Sequence, residues 1–517
     1  MLRKIKVNHL IQNLRQKFTL PIISAFSLVL AYPRFNLGFM AWISLIPLFL
    51  ALENKNPKER FIIGYVFGIA FFSGILYWLA TVSIPGTIIL ILLLSFAPSI
   101  FCLYRIKGGI YDLLAVASLW VLTEFLRANL LSGFPWTLLA HTQYLNLSII
   151  QIADITGAYG VSFLIVSVNF CIYVILRKFQ KRITYTIMCM FILLVAFLYG
   201  FYHLRQSYTA VPLNIAVVQG NIPQSMKWDP AYQKVIRDKH KLITLDSEQS
   251  KPDLVIWPET SLPGYLEEGE YIYGWVRELA RKMDAFLLIG AVKEKDSEFY
   301  NSAYFISRDG KIINSYDKMH LVPFGEYIPL EGYMPWFRDV IDKPIGTYDF
   351  GNEFTLFKIR AEKHSDLGKS IVRNIRFYSF GVLICFEDIF PRLAREFVKR
   401  GAEFLVVITN DAWFGDTSAP YQHVQASVFR AVENRVPVVR SANTGVSCFI
   451  NQKGRITGSV NIYGKETSVE GYKQMEIYPT YKRSVYTALG DVFVYLCFVF
   501  FALSLILRKY DNKIAKR

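Results

Sequence analysis

Residues 378–391 read Tyr-Ser-Phe-Gly-Val-Leu-Ile-Cys-Phe-Glu-Asp-Ile-Phe-Pro. The run from Tyr378 to Ile384 is apolar enough for a strand buried on both faces. Cys385 closes it, two acids follow, and Pro391 suits the first turn of a helix, where its missing N–H costs nothing. Amides at such a strand-to-helix turn favour a thiolate and can hold an oxyanion. An inert buried cysteine would give the same local pattern.

Working outward, the same grammar governs the chain from about residue 212. Apolar runs at 213–219, 253–257, 285–290, 301–306, 378–385, 404–409, 437–441 and 446–450 read as strands. Amphipathic stretches at 230–247, 269–283, 391–400 and 420–435 read as helices. Continuous apolar strands alternating with helices predict an α/β domain whose sheets are covered by helices. The polar stretch 361–375 reads as a solvated loop. Two more segments carry chemistry. Pro258 ends the strand 253–257, having no N–H for a ladder, and presents Glu259 either as a general base or as a surface acid or cap. The loop Tyr316-Asp317-Lys318-Met319-His320-Leu321-Val322-Pro323-Phe324-Gly325-Glu326-Tyr327 mixes turn formers with apolar residues. There Lys318 and Glu326 are either solvated or a fixed ammonium with the carboxylate that orients it.

The remainder of the chain is a different solvent problem. Of 517 residues 53% are hydrophobic and only 19% charged, with mean hydropathy +0.29. Forty Phe and 31 Tyr exclude a disordered chain, and 6 Cys exclude a disulfide scaffold. Eight stretches approach the roughly 20 apolar residues a membrane span needs: 18–33, 37–52, 61–82, 87–104, 109–130, 158–176, 183–202 and 487–507. No small-residue cleavage site follows the first, so it reads as a span and not a signal peptide. The net charge of +16 suggests nucleic acid at first sight, but the basic residues bunch beside the spans. Arg3, Lys4, Lys6, Arg15 and Lys17 precede the first; Lys55, Lys58 and Arg60, then Arg105 and Lys107, then Arg177, Lys178, Lys181 and Arg182 fall in alternate loops; Arg508, Lys509, Lys513, Lys516 and Arg517 end the chain. The other short loops hold Arg34 and Arg127. By the positive-inside rule both termini are cytoplasmic, and the polar region after seven spans is extracytoplasmic. The expected domains are 1–205 with seven spans, 206–485 catalytic, and 486–517 with the eighth span and basic tail. In the fifth span Glu124 and Arg127 share a helix face, as a pair near the outer headgroups or a headgroup contact, and Asp112 falls at its inner edge.

Taken together, Glu259, Lys318 and Cys385 occur in the order typical of the nitrilase superfamily. Within it the chain resembles the apolipoprotein N-acyltransferase family over nearly its whole length. The resemblance rests on VVQGNIPQSMKW (217–228), WPET (257–260), the Lys318 loop, ICFEDIFP (384–391), NDAWFGD (410–416) and ENRVPVVRSANTG (433–445). It implies a multi-pass membrane domain of eight helices plus a nitrilase-like α-β-β-α sandwich. It also implies that Glu259 is the general base, Lys318 the transition-state cation and Cys385 the acylated nucleophile, supported by Glu326 and Glu387. Family members often carry Tyr after the nucleophile, where this chain has Phe386.

The implied reaction moves a fatty chain from a phospholipid, usually phosphatidylethanolamine, through a thioester to the α-amine of a diacylglyceryl-cysteine apolipoprotein, the last step of bacterial lipoprotein maturation. That places the protein in the inner membrane with its catalytic domain periplasmic. A thioester divides one hard acyl transfer into two easier ones, provided water is kept out. Trp228, Trp257, Trp336 and Trp413, with Tyr333, Met334 and Phe337, are candidates for an apolar wall or lid, or for plain core. No cofactor, nucleotide or metal is expected: the 7 His are scattered without HExxH or CxxC, and His320 and His423 suit structure or substrate contact better. Cys385 and Cys448, the cysteines outside the spans, are expected to be free. A tethered amidase acting on water would need a wet pocket, and a transporter would need charges deep in several spans.

Overall fold

A computed structural model describes residues 18–107, 111–227, 229–266, 271–328, 348–366 and 371–514. The chain divides into two compact units, one of residues 1–205 with 489–517 and one of 206–488.

The first unit is helical. Four helices are long and apolar enough to cross a membrane: Ile84–Cys102, Ala158–Leu176, Arg182–Arg205 and Val492–Lys509. Shorter apolar helices cover Phe18–Val29 and Gly38–Ala51. The helix Pro57–Ile75 begins with Lys58, Glu59 and Arg60. Its start is set by a capping box, in which Asn56 accepts from the Glu59 N–H and Glu59 answers to the Asn56 N–H. The helix Asp112–Asn129 carries the fifth expected span. Its polar residues are taken up by backbone. Glu124 accepts the Leu139 N–H at 2.7 Å, while Arg127 donates to the carbonyls of Phe134 at 2.9 Å and Trp136 at 2.6 Å. Asp112 accepts from the Tyr104 hydroxyl and the Lys107 N–H.

The second unit contains two six-stranded sheets. In the first, β1 (Leu213–Gln219), β2 (Leu254–Ile256) and β3 (Phe286–Lys295) run parallel, joined through helices α1 (Gln233–Asp246) and α2 (Tyr271–Met283). β4 (Glu298–Ile306) and β5 (Ile312–Asp317) add antiparallel. The second sheet repeats the plan. β7 (Ile371–Ile384), β8 (Phe404–Thr409) and β9 (Val438–Ala442) are parallel, linked by α3 (Pro391–Lys399) and α4 (Ala419–Asn434), with β6 (Phe357–Asp366), β10 (Cys448–Ile450) and β11 (Ile456–Ser459) beyond them. β12 (Gly471–Ile477) returns to pair antiparallel with β1. Parallel strands need crossovers, and the crossover helices cover the sheet faces, so the paired central stretches of these strands are mostly apolar.

Val218, Val255, Leu287 and Ile289 pack with Val276, Leu279 and Met283 of α2. Between the sheets, Ser441 of β9 donates to the carbonyls of both Val218 and Ile256, and Phe305 of β4 meets Phe357 and Phe380.

The described residues of the stretch 361–375 are strand and not a solvated loop. β6 and β7 pair antiparallel from Phe357–Phe380 to Asp366–Ile371. β6 is an edge strand, and an edge tolerates charged residues that a central strand would not. The edge strands β5, β11 and β12 also lay outside the expected set.

Candidate active site

Glu259, Lys318 and Cys385 each stand where a strand ends. Trp257 and Pro258 follow β2 directly, and the turn that carries Glu259 crosses β3 at Gly290. A Cβ at Gly290 would stand 2.4 Å from the Pro258 carbonyl and 2.8 Å from the Glu259 Cα, so the approach requires glycine. Lys318 leaves the end of β5, with its N–H on the Asn301 carbonyl at 2.9 Å. Cys385 sits where β7 breaks into a single 3-10 turn, Cys385–Ile389. Its φ is +53°, a conformation uncommon outside glycine and typical of the strain stored at functional sites.

Glu259 and Lys318 are buried. The Lys318 ammonium lies 3.3 Å from Glu259 Oε1 and 2.9 Å from Glu326 Oε1. The Asn301 amide bridges the same two oxygens, at 2.8 Å and 2.9 Å. The other Glu259 oxygen accepts the Asn410 N–H at 2.8 Å, and the other Glu326 oxygen accepts the Val322 N–H at 2.8 Å. Burial alone would push the Lys318 ammonium down. The combined pull of Glu326, Glu259 and Cys385 outweighs it and carries the group up, so Lys318 is a fixed cation.

The thiol of Cys385 is pushed up, first by burial and then by the Glu259 carboxylate, with Lys318 opposing. The resting group is a neutral thiol, which needs a base.

Glu387 ties these pieces together. One oxygen accepts the Tyr316 hydroxyl at 2.8 Å and the N–H groups of Met319 at 2.7 Å and His320 at 3.1 Å. The other accepts the Ile384 N–H at 2.7 Å. A single carboxylate therefore joins the Cys385 turn to the Lys318 loop. Burial pushes this carboxyl up to about 7, against the pull of its donors and of Lys318. Behind the turn Asp388 pairs with Arg440 at 2.7 Å and accepts the Ser427 hydroxyl.

His423 lies beneath Cys385, Nε2 3.2 Å from the Cys385 carbonyl and Nδ1 3.3 Å from Asp411. His320 packs against Phe390 with centroids 3.9 Å apart and the rings tilted by 40°, and Phe386 lies beside both rings. Both histidines thus belong to the frame of the site, and among the described residues no cluster suits a metal ion.

The tryptophans divide. Trp257 is fully buried on the helix side of the first sheet, its indole donating to Thr244 at 2.9 Å and its ring packed on His240 and Trp275. It is core and not a substrate contact, because it keeps the face of Val255 in the strand. Trp413 follows β8 and is 40% exposed. Trp228, Trp336, Tyr333, Met334 and Phe337 lie outside the described residues. The cysteines are unpaired, Cys448 being wholly buried.

Three residues of the site carry roles that the sequence pattern did not assign. Asn301 sits in a strand of ordinary pattern, and Asn410 and Lys227 lie within the motifs at 410–416 and 217–228 with no role of their own read for them. Lys227 is in fact buried, its ammonium donating to the Glu259 carbonyl at 2.8 Å.

Two family models match the chain. The one described as Apolipoprotein N-acyltransferase N-terminal domain covers residues 24–171, and the one described as Carbon-nitrogen hydrolase covers residues 214–473. The apolipoprotein N-acyltransferase of Geobacter metallireducens is 36% identical, over 93% of this chain and 93% of its own length. That of Brucella suis is 32% identical, over 83% of this chain and 85% of its own. A solved amidase from Nesterenkonia sp. aligns with 53% of this chain and 94% of its own at 16% identity and a TM-score of 0.37.

Proposed function

Since the chain belongs to the apolipoprotein N-acyltransferase family, we propose that its N-acylation of lipoproteins runs through a thioester on Cys385, with Glu259 as base and Lys318 as the cation facing the oxyanion. The observation that carries the assignment is the buried Glu259–Lys318–Glu326 cluster, electrostatically coupled to a neutral thiol on a strained turn.

In the first half-reaction Glu259 takes the Cys385 proton and sulfur attacks the ester carbonyl of a phospholipid. Negative charge moves to the carbonyl oxygen, where Lys318 and the amides of the turn receive it without reorganising. The S–C bond forms, the C–O bond breaks, and the proton on Glu259 passes to the leaving lysophospholipid oxygen. In the second half, the α-amine of the diacylglyceryl-cysteine attacks the thioester. An N–C bond replaces the S–C bond, Glu259 accepts the amine proton, and a proton returns to sulfur. Glu326 holds Lys318 in place throughout. Glu387 keeps the turn and the Lys318 loop in register. Any backbone role of residue 386 tolerates phenylalanine. We read Trp413 as a contact for substrate at the mouth of the site.

The acyl donor we assign is phosphatidylethanolamine. We also assign eight spans to the chain, with domains 1–205, 206–485 and 486–517, both termini cytoplasmic and the catalytic unit periplasmic at the inner membrane of a bacterium. The loop placement of Lys and Arg supports that orientation, and the four long apolar helices support four of the spans. The test is to incubate the purified protein with phosphatidylethanolamine and a diacylglyceryl-cysteine peptide. The N-acyl peptide is the expected product by mass spectrometry, and free fatty acid alone would assign the chain to hydrolysis instead.

A further inference from the structure

Lys318 faces two carboxylates, Glu259 and Glu326. That leaves the buried cluster one negative charge beyond what Lys318 offsets, and an unbalanced buried charge is costly. The balance is met from an unexpected direction. The short helix Gln224–Lys227 reaches Glu259 twice. Lys227 donates to the Glu259 carbonyl at 2.8 Å. Gln224 accepts from the Asn410 side chain at 2.9 Å, and the Asn410 N–H holds the Glu259 carboxylate. Lys227 is 4% exposed, and its charge is felt by both Glu259 and Cys385.

We propose that Lys227 is a positioning residue of this active site: it fixes the Glu259 peptide and keeps the cluster neutral while negative charge passes from the Glu259 carboxylate to sulfur and then to the oxyanion. Glu326 with Lys318 forms one neutral pair, and Lys227 opposes whichever group carries the moving charge. Proton transfer from Cys385 to Glu259 therefore leaves the summed charge of Glu259, Glu326, Lys318, Lys227 and Cys385 at zero at every step. The inference rests on Cys385 being the acylated group.

The chemistry supplies a readout that a merely structural lysine would not. Burial, only partly offset by Glu259 and Cys385, pushes Lys227 down to about 8. Its charge is therefore present below that pH and lost above it. The other group facing it, His240, is pushed down by burial to about 4 and stays neutral there. Lys318 is carried up and keeps its charge.

The experiment follows acylation of Cys385 by phosphatidylethanolamine, by intact-mass spectrometry of the full-length protein, from about pH 6 to about pH 10. The wild-type rate should fall as pH rises through about 8. Lys227→Met should acylate about tenfold more slowly at neutral pH, an order less than the loss of a direct oxyanion donor, and should show no such fall. Lys227→Arg, charged at every pH used, should recover rate and also lose the fall. A wild-type profile flat through that range overturns the proposal even where neither variant folds. So does a Lys227→Met protein that keeps the wild-type limb, whatever its rate. A wild-type protein that acylates elsewhere than Cys385 overturns the thioester reading itself, and this inference with it.

Discussion

Replacing Glu387 with glutamine tests how the site is held together, since the change removes a charge while nearly preserving shape. The carboxylate accepts four donors: Tyr316, Met319 and His320 on one oxygen and Ile384 on the other. An amide has one acceptor atom, so either orientation fails. With its oxygen toward the Lys318 loop, its NH2 meets the Ile384 N–H. Reversed, it meets three donors at once. A buried donor left without an acceptor costs about 1–3 kcal/mol, and a hydrogen bond to a charged group contributes about 1.5–3 kcal/mol. The better orientation loses one donor outright and weakens three, for a total of about 2–4 kcal/mol. In a domain of this size that lowers Tm by about 5–10 °C. The acylation rate should fall further than stability does, because Ile384 precedes Cys385 and Met319 follows Lys318. The assay is thermal unfolding in detergent beside Cys385 acylation at a temperature where both proteins are folded. An unchanged Tm with undiminished acylation would refute the reasoning that this carboxylate couples the Cys385 turn to the Lys318 loop.

The other predictions concern separate parts of the frame. Gly290→Ala places a Cβ 2.4 Å from the Pro258 carbonyl; acylation should drop at least about tenfold by displacement of Glu259, and a fully active variant would show that the turn has room to move. Lys318→Met leaves Glu259 and Glu326 without their shared cation, which should destabilise the catalytic unit by about 3–5 kcal/mol in denaturant titration and abolish adduct formation. His240 is held neutral in the fold by burial, pushed down to about 4, whereas its unfolded value is about 6.5. A depressed value means that its contribution is complete above about 6.5 and is lost as pH falls towards about 4, amounting to about 3 kcal/mol. His240→Phe should flatten the stability profile over that window, and an unchanged profile would assign the acid sensitivity to other groups.

The parts of the site that could be read in the sequence are those where a buried strand stops abruptly. The apolar run ending at Cys385 and the one ended by Pro258 were visible because burial on both faces leaves no polar alternation to confuse them. The edge strands were hidden for the converse reason. β6 carries Arg360, Glu362, Lys363 and His364 in four of five successive positions, a composition that suits a loop equally well. The helix Pro57–Ile75 shows the same blurring in the first unit, because its capping turn puts three charges at the start of an apolar segment. Trp257 stands two residues from Glu259, yet the pleat turns it to the opposite side, towards α1. Lys227 stands inside the motif at 217–228, yet nothing local marks a lysine there as buried, and the Glu259 turn takes up its ammonium.

The most direct test of the account is the mass of the protein after exposure to phosphatidylethanolamine without an amine acceptor. An acyl group on Cys385, released by neutral hydroxylamine, absent from Cys385→Ala and transferred when a diacylglyceryl peptide is added, is the predicted result. An adduct that survives in Cys385→Ala, or N-acyl product formed by that variant at the wild-type rate, would contradict it.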